Sequence, residues 1–150
     1  MRPIVIICIV FLHAGVLLGS DEADVIATIT KEAEAFQNKD IKTFEELWAH
    51  EDWVTVIEQG SADIGWKKYR DHHLMMEING MKNVKYQHSD VRAQVRDNVA
   101  WASFKFKIVA DYGERHIDAE GIGTAILENR QGAWKIVHMH TSSSPKPKKH

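Results

Sequence analysis

Cysteine is nearly absent from this 150-residue chain, and Cys8 is the only one. A mature chain starting near Asp21 would hold neither a disulfide nor a thiolate metal site. A basic stripe is missing too: 19 Lys and Arg against 21 Asp and Glu give a formal net charge of -2. Nucleic acid is therefore a poor partner, because phosphate neutralisation needs clustered cations. There is no glycine-rich phosphate loop, no nucleophile elbow and no Ser-His-Asp signature, so phosphoryl transfer and serine-type acyl transfer have no motif to rest on. No internal repeat occurs, and no cofactor is expected.

What is present is the balance of one globular domain, 44% hydrophobic and 27% charged. The first twenty residues differ in kind. After Met1 and Arg2, an apolar run from Ile4 to Leu18 is broken only by His13. Such a run is short of the ~20 residues a membrane span needs and suits a secretory signal peptide over residues 1–20. Leu18 is not the small residue that signal cleavage prefers, which keeps an uncleaved N-terminal anchor as the alternative. The sequence thus predicts export, periplasmic or secreted, with the membrane involved only in that step. Cleavage would leave 18 basic and 21 acidic residues, a net charge of -3. At the other end, Lys146, Lys148 and Lys149 interleave with Pro145 and Pro147, and residues 143–150 read as a disordered basic tail. The folding domain is 21–142.

Ile26, Ile29, Ala33 and Phe36 recur at helical spacing, which predicts a first helix over Ala23 to Gln37 with Lys31, Glu32 and Glu34 facing away. Asp40 is a good N-cap for a second, short helix with Ile41, Phe44, Leu47 and Trp48 on its apolar face. Residues 53–58 are β-branched and aromatic and predict a strand, followed by a loop from Gln59 to Gly65. A third helix runs from Trp66 to about Ile78, with Trp66, Tyr69, His73 and Met76 on one face and Asn79 and Gly80 ending it. Four long strands follow, 84–95, 99–110, 115–128 and 134–142, separated by turn residues at Asp97-Asn98, Tyr112-Gly113 and Gln131-Gly132. The order α-α-β-α-β-β-β-β predicts an α+β fold, a curved antiparallel sheet wrapped around three helices as a cone with an open mouth.

At this point the chain resembles the nuclear transport factor 2-like superfamily, and more closely its SnoaL-like branch. The residues that carry the resemblance are Phe36 to Ile41, the stretch from Gly60 through Gly65 and Trp66, the strand opening at Asp97 to Trp101, and the closing Gly132 to Ser142. The last also resembles the terminal strand of the association domain of calcium/calmodulin-dependent kinase. The resemblance implies the cone fold over roughly residues 24–142 and says little about activity.

The ketosteroid isomerases of that superfamily use a carboxylate base with a Tyr and a protonated Asp at the enolate oxygen. By resemblance Glu58, at the end of the first strand, falls near the base position, and Glu32 or a neighbour falls where the Tyr would lie. No Tyr occurs on helix one, so Tyr69 on the third helix takes that role only if its hydroxyl points into the cone. The other reading of Glu58 is a solvated strand-end acid. His138 and His140 lie two apart on the last strand and share a face with Trp134, Ile136 and Ser142. They are a candidate metal pair needing a third ligand from His50, Asp52, His72 or His73; the alternative is a structural role in the sheet or in a dimer interface. His72 and His73 diverge by about 100° on a helix and cannot share one site. The kinase association domains line a carboxylate pocket with arginines, and Lys105, Ala125 and Thr141 stand at those positions here. Lys105 is either a ligand cation or part of a solvated rim.

Two functions follow. In one, the cone is a small-molecule pocket for an apolar or amphipathic ligand, with Glu58 and Tyr69 as catalytic candidates and His73, Lys105, Trp101 and Met139 as ligand contacts. In the other, the cone is filled by Trp and Met side chains and the domain is a dimerisation or protein-interaction module. Either way a homodimer through the outer sheet face is expected, since four long strands cannot all be covered by three helices. N-terminal sequencing of the protein from its own host is expected to start near Asp21; an intact Met1 on a soluble cytoplasmic chain would overturn the signal-peptide reading.

Overall fold

An apolar helical stripe and a set of alternating strands cannot each bury their faces alone, and here they do so against one another. The computed structural model describes residues 21–143. The signal-peptide reading of residues 1–20 and most of the basic tail lie outside them. Helix α1 (Asp21–Gln37) places Val25, Ile29, Ala33 and Phe36 in the core. Lys39, at φ 56°, turns the chain, and Asp40 caps α2 (Ile41–Leu47) by accepting the Thr43 amide at 3.0 Å. Strands β1 (Thr55–Glu58) and β2 (Ser61–Ile64) lead into α3 (Trp66–Tyr69), a π-helical turn (Arg70–Leu74) and α4 (Met75–Gly80). Long strands β3 (Met81–Arg96), β4 (Val99–Tyr112), β5 (Arg115–Arg130) and β6 (Ala133–Ser143) complete the chain.

The strands form one curved sheet in the order β2-β1-β6-β5-β4-β3, and the architecture is the expected α+β cone. Three details correct the sequence reading. The expected loop Gln59–Gly65 contains β2, because Gln59 and Gly60 both take positive φ and close a two-residue hairpin in which Glu58 faces Ser61. The sheet is mixed rather than antiparallel, since β1 runs parallel to β6. The reason lies just upstream: Trp48 makes a parallel bridge to Ile136, and the Ala49 amide donates to the Ile136 carbonyl at 3.0 Å. The chain therefore enters β1 already aligned with β6. Finally, the third helix is interrupted by a π turn rather than running on evenly.

A further correction, and the one that matters for function, is a bulge in β6. Ile126 faces His138 while Leu127 faces Ile136, which leaves Val137 as an extra residue. Trp134 and Ile136 point into the core before the bulge; Met139, Thr141 and Ser143 line the interior after it. His138 and His140 are thereby turned away from the row of Trp134 and Ile136 in which strict alternation placed them. Strand β3 also bulges, with Asp90 at φ 53° and a register shift between Ser89 and Arg92.

The narrow end of the cone is packed with rings. Trp48 stacks on Phe44 (6.0 Å between centroids) and Trp66 (5.8 Å) and leans on Tyr69 (5.4 Å). Where the sheet curls over itself, inward positions are small: Ala100, Ala102, Ala125, Gly121 and Gly123. A Cβ on Gly121 would overlap the Ser142 carbonyl of the neighbouring strand. Gly121→Ala is accordingly expected to cost about 1–3 kcal/mol by forcing β5 and β6 apart. Urea denaturation reads this directly, and an unchanged midpoint would show that the sheet yields there without cost.

Candidate functional site

Between α1, the α3–α4 segment and the concave face of the sheet lies a cavity of about 580 Å³. Its walls are apolar along Phe36, Val56, Met81, Phe106, Ile108 and Met139; its polar lining includes Glu32, Glu58, Tyr69, His73, Glu77 and Tyr86, with Arg115 and His116 also on the wall. Four sequence candidates, Glu58, Tyr69, His73 and Met139, are thus brought together. Two others are not. Trp101 is 46% exposed, and Lys105 is exposed and ion-paired to Asp90 at 2.7 Å. Both sit on the outward row of β4, which alternates with the buried Ala102, Phe104 and Phe106. Their assignment as ligand contacts in the cone is corrected by that alternation.

The acid that the sequence reading turned outward is the most buried polar group of the site. Glu32 is 3% exposed, the one charged residue in the buried class among the described residues. Its position i+3 from Ile29 and i−4 from Phe36 places it on the flank of the apolar stripe, which is the signal that was available. Burial, with the Glu58 charge adding, pushes its pKa up to about 8. Glu32 is therefore a neutral carboxylic acid at pH 7. Its Oε2 has no hydrogen-bond partner. The His88 Nδ1 lies 3.9 Å from that oxygen, too far for a hydrogen bond. The His88 ring is accounted for otherwise: Nδ1–H donates to the Ile29 carbonyl at 3.0 Å, so Nε2 accepts from the Tyr86 hydroxyl at 2.9 Å. Burial holds the His88 pKa down at about 4, so that imidazole is neutral. Burial and the surrounding acids raise Tyr69 and Tyr86 well above the usual phenol value, so both remain protonated.

The mouth of the cavity is charged. His73, from the π turn, donates through Nδ1 to Asp63 Oδ2 at 2.9 Å, and Lys68 holds the other Asp63 oxygen at 3.3 Å. His73 Nε2 lies 3.5 Å from Glu58 Oε2 and 3.5 Å from Glu77 Oε1. Glu77 above all, with Asp63 and Glu58, lifts the His73 pKa against burial to about 9. Glu58 is raised by burial and by Glu77, with His73 opposing. Glu77 and Asp63 were missed in the sequence; the i, i+4 spacing from His73 to Glu77 was the legible clue to the first, whereas Asp63 stood in an expected loop.

The metal reading of His138 and His140 gains no support from the geometry. Among the described residues, the group of three or more potential ligands is Glu58, His73 and Glu77. His138 and His140 face Thr55 and Ile57 of β1, as well as Ile126 and Thr124 of β5, and belong to no group of three potential ligands among the described residues. His72 is exposed while His73 lines the cavity, as the helical divergence requires.

A carboxyl that keeps its proton in the fold but loses it unfolded favours the native state at low pH. For Glu32 this stability is fully present below its ordinary pKa of 4.5 and is lost as pH rises to about 8. His88 acts in the opposite direction between about 4 and 6.5, so the informative comparison is with Glu32→Gln. The variant is expected to gain on the wild type between pH 5 and pH 8, by at most ~1.4 kcal/mol per pH unit, while Glu58, Tyr69, Tyr86 and His88 still face the site. Parallel stability curves in urea at pH 5, 6.5 and 8 would show that Glu32 is ionised in the fold.

Several solved structures share this architecture. A protein from Shewanella frigidimarina, named as a candidate ketosteroid isomerase, is 20% identical, with a TM-score of 0.68 over 81% of this chain and 96% of that one. A nuclear transport factor 2-like superfamily protein from Salmonella enterica serovar Typhimurium is 16% identical, with a TM-score of 0.74 over 83% of this chain and 91% of that one. The association domain of a Caenorhabditis elegans calcium/calmodulin-dependent kinase II is 17% identical, with a TM-score of 0.63 over 80% and 93%. At such identities the likeness speaks for the fold. No curated protein matches the sequence. The SnoaL-like domain family matches residues 25–146, and the chain belongs to that family.

Proposed function

We propose that the chain binds and modifies an amphipathic small molecule within the cone. The apolar part of the ligand lies against Phe36, Met81, Phe106, Ile108 and Met139, and its polar end meets Glu32, Tyr69 and Glu58. One observation carries this reading: a buried, protonated carboxyl with an unpartnered oxygen in a cavity of ligand size. An unpaired buried polar atom costs about 1–3 kcal/mol, and a ligand oxygen that accepts from Glu32 offsets it. Glu58, from the end of β1, is the proton acceptor. A neutral acid and a carboxylate facing one cavity suit proton abstraction next to a carbonyl, the acid holding the oxygen that becomes negative. The open volume favours this reading over a packed, purely structural cone.

The outer face of the sheet supports a second copy of the chain as partner. Trp101, Ile122 and Ile126 are 46, 64 and 41% exposed there, and Trp101 pairs directly with Ile126 across β4 and β5. Exposed apolar side chains clustered in this way favour an interface. Native mass spectrometry of the protein from its own host tests both proposals, with a dimer carrying a retained amphipathic molecule as the expected result. Ala119→Trp, which fills the cavity from β5, is expected to lose the ligand but keep the dimer. Once a turnover assay is in hand, Glu58→Gln is expected to lower the rate about 10²-fold or more. A monomer at micromolar concentration would overturn the dimer, and equal retention by Ala119→Trp would overturn the cone as the binding site.

A further inference from the structure

Four elements converge at the mouth of the cavity: Glu58 from the end of β1, Asp63 from β2, His73 from the π turn and Glu77 from α4. We propose that Glu58, His73 and Glu77 form a binding site for a divalent first-row transition cation, with Asp63 orienting the histidine.

The geometry is the first support. One ligand atom from each of the three side chains lies within 4.8 Å of the others. His73 Nε2 is 3.5 Å from an oxygen of Glu58 and 3.5 Å from an oxygen of Glu77. That spacing is too long for a strong hydrogen bond. It matches two ligand atoms around one ion, because bonds of about 2.0–2.2 Å at tetrahedral angles place neighbouring ligands about 3.3–3.6 Å apart. The second support is the back of the imidazole. Metal-binding histidines donate their other N–H to a carboxylate or carbonyl, which fixes tautomer and ring orientation. His73 makes that bond to Asp63 at 2.9 Å, and Lys68 anchors Asp63 from its far oxygen.

The third support is Glu32. Its unpartnered, buried Oε2 belongs to the same cavity. A ligand or water held by the ion and reaching inward would meet this donor. The π turn supplies the local cause, since it sits between α3 and α4 and presents His73 one turn ahead of Glu77 on the cavity side. Such turns recur at functional sites.

One nitrogen and two carboxylates suit zinc or manganese better than magnesium, which prefers oxygen and retains its waters. With the ion bound, Glu58 is a ligand and is not free to accept a proton, so its role as base under the small-molecule reading belongs to the metal-free chain; the binding of the ion does not rest on that reading.

The test uses the full chain, stripped with chelator and titrated separately with zinc, manganese and magnesium. Calorimetry and elemental analysis after gel filtration read affinity and stoichiometry. The expected result is one zinc or manganese per chain, with magnesium much weaker. Glu77→Gln and His73→Ala are expected to weaken binding at least 100-fold, and Asp63→Asn, which leaves all three ligands in place, about 10–100-fold. Binding is expected to persist in Ala119→Trp, which separates failure of this proposal from failure of the ligand cavity. It should also persist when His138 and His140 are both replaced by Ala. Circular dichroism establishes that each variant is folded, and Glu77→Gln remains decisive should His73→Ala unfold. Absence of stoichiometric binding, binding indifferent to Glu77→Gln, or loss on removing His138 and His140 would overturn the proposal.

Discussion

The curvature of the sheet is the constraint on which the rest depends. A flat sheet against α1 would bury both surfaces and leave no interior. Here β3 to β6 bend around the helix. The bend is permitted by small inward residues at Ala100, Ala102, Gly121, Gly123 and Ala125, and shaped by bulges at Asn83, Asp90 and Val137. Rings fill the narrow end where Trp48, Phe44, Trp66 and Tyr69 meet. The wide end stays open because the walls diverge faster than side chains can fill the space between them.

That shape sets the electrostatics. Toward the closed end, water is excluded and charge is expensive, so Glu32 keeps its proton, His88 stays neutral and both cavity tyrosines stay protonated. Toward the mouth, opposite charges are close enough to sustain one another, and His73 is cationic among three acids. A difference in environment sets two identical side-chain types apart: burial pushes the Glu32 pKa up to about 8, whereas at Glu58 the His73 charge opposes the rise that burial causes. It is a property of depth in the cone and of neighbours, not of residue identity.

Much of the fold was legible because it rests on local patterns. The stripe of Ile29, Ala33 and Phe36, the Asp40 cap, and the alternation of Trp101, Ser103 and Lys105 with Ala102, Phe104 and Phe106 each report on a helix or strand without reference to the rest of the chain. The errors share a different origin. Ser61 to Ile64 is too short and polar to read as a strand, and it becomes one because Gln59 and Gly60 fold it back onto β1. His138 and His140 were assigned to the wrong row because Val137 is inserted into the ladder, and a single extra residue reverses every later side chain. Glu32 was turned outward because its charge outweighed its position on the edge of an apolar stripe.

The sequence by itself determined the order of the helices and long strands, the α+β class and the family, since these follow from periodicity, capping and motif residues close together in the chain, and the family resemblance made Glu58 and Tyr69 candidates. Only the tertiary structure decided that Glu77 and Asp63 join His73, that Glu32 is buried and protonated, and that Lys105 and Trp101 face outward. Those outcomes depend on sheet curvature and strand register, which arise from contacts between segments far apart in sequence, and no local pattern encodes them.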